Sequence, residues 1–237
     1  MLDPKEEKKW QEYLMMCKEL KIPSVPFIFI NVEKYNKHGE MVKSDIERAH
    51  SWTRNLYNLI FETVSAGSTS GTNNFGAGYM TGKTTGGSVH YVAGYDMCKS
   101  SGQMNAGIVN TGQTSSFGLV VGSSTTAFDE DHYAMQSVIA HGTGSGQLYY
   151  YSMGRPYTYY TAGSKTWTTE LTRFFENMDT ASITIKEAGL YWYGYLCTSS
   201  QSVYMVERTV LASTIALAQG EIAKIKYTIT MDFSAID

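Results

Sequence analysis

The chain has 237 residues, of which 43% are hydrophobic, 13% aromatic and only 17% charged, against roughly 25% charged in an average soluble domain. Disordered chains are rich in charge and poor in aromatics, so this composition excludes intrinsic disorder. A net charge of −3 excludes a dedicated nucleic-acid binder, which needs a basic face. No apolar run approaches the roughly 20 residues of a membrane-spanning helix.

The first nine residues lack the basic-then-apolar order of a signal peptide, so folding in the cytoplasm is expected. Residues 5–20 place Trp10, Tyr13, Leu14, Cys17 and Leu20 at helical spacing, predicting an amphipathic helix that ends at Ile22-Pro23. Residues 27–32 read as a strand, and Asn36-Lys37-His38-Gly39 as the turn of a hairpin-like return. Ser44, with Glu47 three positions later, has the form of a capping box. The stripe Ile46, Ala49, Trp52, Leu56, Leu59, Ile60 and Val64 then predicts a second helix. Cys17, Cys98 and Cys197 are single and far apart, so they are expected as buried thiols, with no disulfide framework or zinc site.

Composition changes near Ala66. Residues 1–62 hold 10 of the 19 basic and 10 of the 22 acidic side chains, whereas 21 of the 22 glycines and 15 of the 18 tyrosines follow it. Residues 65–71 read as a Gly/Ser connector. The expected organisation is a helical segment over 1–66, serving assembly or attachment, and a β domain over 67–237. In that domain, residues 117–122, 147–151, 157–160, 165–174, 182–187 and 222–231 combine apolar or alternating patterns with Thr, Tyr, Val and Ile. Their spacing points to a mainly β, antiparallel sandwich. Residues 130–141 read as a short helix or turn. The strands over 183–191 and 222–233 are expected to share a core, with Ile183, Ile185, Leu190, Ile225, Tyr227 and Ile229 turned inward.

Two stretches invite a chemical reading. Asp129-Glu130-Asp131-His132, with His141 beyond, offers carboxylates and imidazoles for a metal or general base, or else a solvated capped turn. His141 to Gly146 is rich in glycine but has neither the Gly-Lys-Ser/Thr ending of a phosphate loop nor the full Gly-x-Ser-x-Gly of a nucleophile elbow. It reads as a plain loop. Tyr149-Tyr150-Tyr151 and Tyr191-Trp192-Tyr193 would set successive rings on opposite sheet faces, more than one core can bury. Trp10, Tyr13, Leu14, Trp52, Leu56, Tyr149, Tyr151, Tyr191 and Tyr193 are therefore the candidate interface residues, and no catalytic, metal or cofactor residue is assigned. For the two helical stripes, Trp10/Tyr13/Leu14/Cys17 and Trp52/Leu56/Leu59/Ile60, packing onto the chain's own sheet is the alternative.

Three groups of segments together resemble tailed-bacteriophage virion proteins. The first is Ser116 to Gly122, Phe128 to Ala134 and His141 to Leu148. The second is Arg173-Phe174-Phe175-Glu176-Asn177 leading to Ile183 through Tyr191. The third is Glu207-Arg208-Thr209-Val210-Leu211, Leu217 to Glu221 and Lys224 to Thr230. Residues 49–58 are similar to the common N-terminal helix of that group. The resemblance implies a non-enzymatic virion subunit of the tail, neck or collar, made in the host cytoplasm. It further implies homo-oligomeric contacts and contacts with other virion proteins, without cofactor, nucleic acid or membrane. Capsid decoration, or a fibre module binding host glycans through exposed tyrosines, is the alternative, and a hydrolase using Asp129, Asp131, His132 or His141 a third.

Overall fold

A computed structural model describes residues 4–22, 24, 26–49, 51–58, 81–91, 108–194 and 202–234. The fold is mainly β, with antiparallel sheets, an N-terminal helix and a helical stretch over the described residues 54–58, in keeping with the sandwich-like class expected. Among the described residues no helix is long and apolar enough to cross a membrane. The chain divides into two units, each assembled from separated segments.

The first unit comprises residues 1–49, 142–183 and 215–237. Its helix α1 (Pro4–Leu20) precedes β1 (Phe27–Tyr35) and β2 (Met41–Arg48). These join β7 (Tyr149–Tyr150), β8 (Tyr157–Thr161), β9 (Thr166–Glu176) and β12 (Ile222–Asp232) in a sheet ordered β2-β1-β12-β9-β7, with β8 also paired to β9. Period-two alternation fixes one face. Val32 pairs Ile225, Ile30 pairs Tyr227, Leu171 pairs Tyr227 and Phe175 pairs Ala223; all of these side chains are buried. The opposite face is laced with charge: Lys224 contacts Glu33 at 2.9 Å and Lys226 contacts Glu170 at 3.1 Å.

The helix expected from Ser44 through Val64 is corrected in its first half, which forms the strands β2 and Ser51–Trp52, whereas residues 54–58 are helical as expected and 59–64 lie outside the described residues. Asn36 Oδ1 accepts the His38 and Glu40 backbone N–H groups, at 2.9 and 3.0 Å, closing the turn. The returning chain then lies beside β1, with Asn31 opposite Ile46 and Phe29 opposite Arg48. Pairing with β1 from Phe29↔Arg48 to Tyr35↔Met41, with one register shift between Lys34 and Tyr35, overrides the local capping signal. The segment 1–66 is thus helical only in part, over residues 4–20 and 54–58 among those described, and its strand β1 pairs with β12 along nine residues from Phe27↔Thr230 to Tyr35↔Ile222. The boundary drawn at 66/67 and the connector over 65–71 lie outside the described residues.

The second unit comprises residues 50–141 and 184–214. It contains β3 (Ser51–Trp52), β6 (Gly118–Gly122), and most of β10 (Ile183–Gly194) and β11 (Ser202–Leu217). Together they form a sheet ordered β3-β11-β10-β6. A separate hairpin joins β4 (Thr81–Lys83) to β5 (Val89–Tyr91). The β11 strand carries no clean alternation, since residues 204–209 are buried without a break. Residues 123–141 hold no helix; they form turns and irregular chain, with an isolated bridge from Val138 to Gly122.

Strands β10 and β12 belong to different sheets. Ile183, Ile185, Leu190, Ile225 and Tyr227 are buried as expected, and Ile229 is half-buried.

Candidate functional site

The most elaborate polar arrangement is a buried ion pair in the second unit. Glu187 of β10 and Arg208 of β11 are both fully buried, with Arg208 Nε 2.6 Å from Glu187 Oε2. Burying two charges is costly unless their remaining hydrogen-bonding capacity is met. Here the irregular segment 123–139 meets it. Glu187 Oε1 accepts the Ser137 N–H at 3.0 Å and the Ser124 N–H at 3.4 Å. Arg208 donates to the carbonyls of Thr126 at 2.8 Å and Ala127 at 3.4 Å. A segment without regular structure leaves backbone groups unpaired, and this pair supplies them with partners.

The approach of that segment is close. A methyl group on Gly122 would stand 2.4 Å from Glu187 Oε1 and 2.5 Å from the Ser137 carbonyl, and one on Gly189 would stand 2.9 Å from Met135 Sδ. The backbone N–H of Met135 donates to the Tyr191 hydroxyl at 2.8 Å. Burial pushes the Tyr191 phenol up to about 12, so it stays a neutral acceptor across the physiological range.

The acidic cluster belongs to this same framework. Asp129 Oδ1 accepts the Asp131 N–H at 2.8 Å, an Asx turn. Asp131 pairs with Arg54 at 2.8 Å, both side chains more than half exposed. The Asp129 N–H lies 3.2 Å from His132 Nδ1, and Arg208 Nη1 lies 3.3 Å from the same nitrogen. Two donors converging on Nδ1 require its lone pair, which places the ring proton on Nε2. His132 therefore accepts bonds that order the turn. Beside it lies a cleft of about 150 Å³, lined by Arg54, Asn58, Val89, Asp131, His132 and Tyr133 among others. The His141 backbone N–H is engaged elsewhere, donating to Ser115 Oγ at 3.2 Å. Among the described residues, no three potential metal ligands gather.

The glycine-rich loop spends its amides on itself. Gly142 N–H donates to the Leu148 carbonyl, Gly144 N–H to Gln147 Oε1, Gln147 N–H to the Gly144 carbonyl and Gly146 N–H to Asp179 Oδ2, at 3.0–3.1 Å. The last bond heads the causes that hold the Asp179 carboxyl below its usual range. These four amides are already engaged and are not offered to a phosphate.

The aromatic candidates divide between core and surface. Tyr191 is buried, whereas Trp10, Tyr13, Leu14, Trp52, Leu56, Tyr149, Tyr151 and Tyr193 are half-buried. Trp10 lies 4.8 Å from the Phe27 ring and 5.0 Å from Tyr13, with the Arg48 guanidinium 4.8 Å over it. Much of the α1 stripe thus meets the chain's own sheet. Cys17 on this stripe is buried, while Cys98 and Cys197 lie outside the described residues. Tyr193 stacks on Phe117 at 5.0 Å, and Tyr149 sets its ring edge to Tyr151 at 5.1 Å. The Tyr151 hydroxyl donates to Glu176 at 2.5 Å. That hydrogen bond, followed by burial, raises the Tyr151 phenol to about 12.

Two features stand outside the sequence-based candidates. One is the Glu187–Arg208 pair, each member of which stands beside a charge of opposite sign (Lys186 and Glu207) in a strand that holds no other charge. The other is β8, where Tyr157 is 66% and Tyr160 47% exposed, beside Trp167 at 49%. No family model matches the chain, and neither the curated proteins nor the solved structures yield a match.

Proposed function

We propose that the chain is a non-enzymatic structural subunit of a tailed-phage virion, placed in the tail, neck or collar and acting through contacts with copies of itself and with other virion proteins. The observation that supports this reading most is where the chemistry-bearing side chains go. Asp129, His132, Glu187 and Arg208 are committed to one another and to backbone groups, and Asp131 pairs with Arg54. The exposed aromatic residues Tyr157, Tyr160 and Trp167 instead offer contact surface, because large exposed apolar groups mark interaction sites.

Mass spectrometry of purified particles tests the proposal. The chain should be present at a copy number matching a ring, in multiples of three, six or twelve. Hundreds of copies would indicate capsid decoration, and absence from particles would overturn the virion role. A glycan-binding fibre module is the second reading, favoured by the same exposed rings, since aromatic faces stack on sugars. Glycan-array binding abolished by Tyr160→Ala would favour it. His132→Ala and His141→Ala variants that still assemble, with no hydrolytic activity in the parent, would dismiss the hydrolase reading.

A further inference from the structure

We infer that β8 is a two-fold interface at which a second copy of this chain pairs edge to edge and continues the sheet; the inference rests on the reading of the chain as a self-associating subunit. Strand β8 pairs with β9 from Tyr157↔Glu170 to Thr161↔Thr166. Among the described residues β9 is its sole strand neighbour. Its other edge offers a row of backbone donors and acceptors, a template for an added strand.

Natural proteins blunt such edges with lysine, proline or inward charges. Tyr157-Thr158-Tyr159-Tyr160-Thr161 holds none of these; Arg155 and Pro156 stop just short of it and Lys165 lies beyond it. The side chains are already ordered from the β9 side. Tyr160 packs 5.4 Å from Trp167, and the hydroxyls of Thr158 and Thr169 are 3.1 Å apart. Tyr157 and Tyr159 lie 5.1 Å apart, on the face opposite to Tyr160 by strand alternation.

The sequence of the strand identifies its occupant. Two identical antiparallel neighbours in one sheet are related by an axis normal to it, which preserves the faces. Opposed residues must then have numbers of the same parity. Full overlap of the five residues centres the axis on Tyr159. Tyr157 then faces Thr161 of the second copy, Thr158 faces Tyr160, and Tyr159 faces its own counterpart. Every opposed pair is aromatic with β-branched, or aromatic with aromatic, and no charge meets a like charge. These are favourable cross-strand combinations. The strand is self-complementary, as an isologous interface requires.

Sedimentation of the full chain over a range of concentrations tests this. The parent should dimerise. Tyr159→Lys, which opposes two ammonium groups across the axis, should sediment as a monomer with the circular dichroism of the parent and a melting temperature that, unlike the parent's, does not rise with concentration. Tyr159→Cys should give a disulfide-linked dimer on mild oxidation. Opposed Cα atoms in an antiparallel pair are about 4.5–5.5 Å apart, within disulfide reach. Thr158→Cys, which faces Tyr160, should cross-link no more than the parent with its own three cysteines. If the lysine variant fails to fold, the two cysteine variants decide.

A monomeric parent overturns the inference, as does a dimer that neither the lysine substitution disrupts nor Tyr159→Cys cross-links. Loss of the dimer with the chain still present in particles leaves the virion reading standing. A dimer formed by a chain absent from particles does the reverse.

Discussion

At the scale of single residues, stability is concentrated where a charge or hydroxyl is both buried and fully engaged. Glu187 and Arg208 are each fully buried, so removing either one leaves the other without compensation. Glu187→Ala and Arg208→Ala should each cost about 3–5 kcal/mol, read by urea unfolding. The double variant should cost less than the two together, because the stranded charge is gone; additive losses would deny the coupling. Tyr191→Phe takes the acceptor from the Met135 N–H and should cost about 1–3 kcal/mol.

The same phenols set an alkaline limit. Tyr151 and Tyr191 are raised from 10.0 to about 12 in the folded chain. A group raised in the folded state contributes stability that is complete below its unfolded value and lost as pH rises through the folded one. Stability should therefore fall between about pH 10 and 12, and Tyr151→Phe should reduce that slope. An unchanged slope in the variant would show that the Glu176 bond contributes nothing.

At the scale of elements, packing along β12 and β6 decides which substitutions are tolerated. Ile225 is fully buried between Val32 and Arg173 in the register, so Ile225→Ala should cost about 2–5 kcal/mol. An unchanged melting temperature would remove β12 from the core. Gly122→Ala places a methyl against Glu187 and the Ser137 carbonyl, neither of which is a loose side-chain end. It should destabilise by about 1–3 kcal/mol, and increased protease cleavage within 123–139 would locate the effect. Helix α1 shows the value of the apolar stripe as a signal: it appears over Pro4–Leu20, and Trp10 packs on Phe27. Strand β2 shows the limit of local signals, since a Ser-x-x-Glu spacing lies within a strand held by pairing to β1.

At the scale of the whole molecule, the segment order matters more than the composition boundary. Deleting residues 1–66 removes β1 and β2, uncovers one edge of β12 and takes away Ile28, Ile30 and Val32 from its neighbours. The expected product is insoluble or partly unfolded, as seen by circular dichroism and light scattering. A soluble, folded remainder would restore the view of that segment as a separable attachment device. The sequence by itself determined the β class, strands over 117–122, 157–160, 165–174 and 222–231 to within two residues at their ends, the hairpin turn after Asn36, and the inward row Ile225, Tyr227 and Ile229, of which the first two are buried and the third half-buried. Each of these depends on period-two alternation or on turn chemistry within a few residues. Only the tertiary structure decided that β1 lies beside β12, that Glu187 meets Arg208, and that the Asp129–His132 turn is held by that pair. Those partners lie from 21 residues apart, Glu187 and Arg208, to 203 apart, Phe27 and Thr230, in the chain, and periodicity tells which face a side chain takes but not which strand stands next to it.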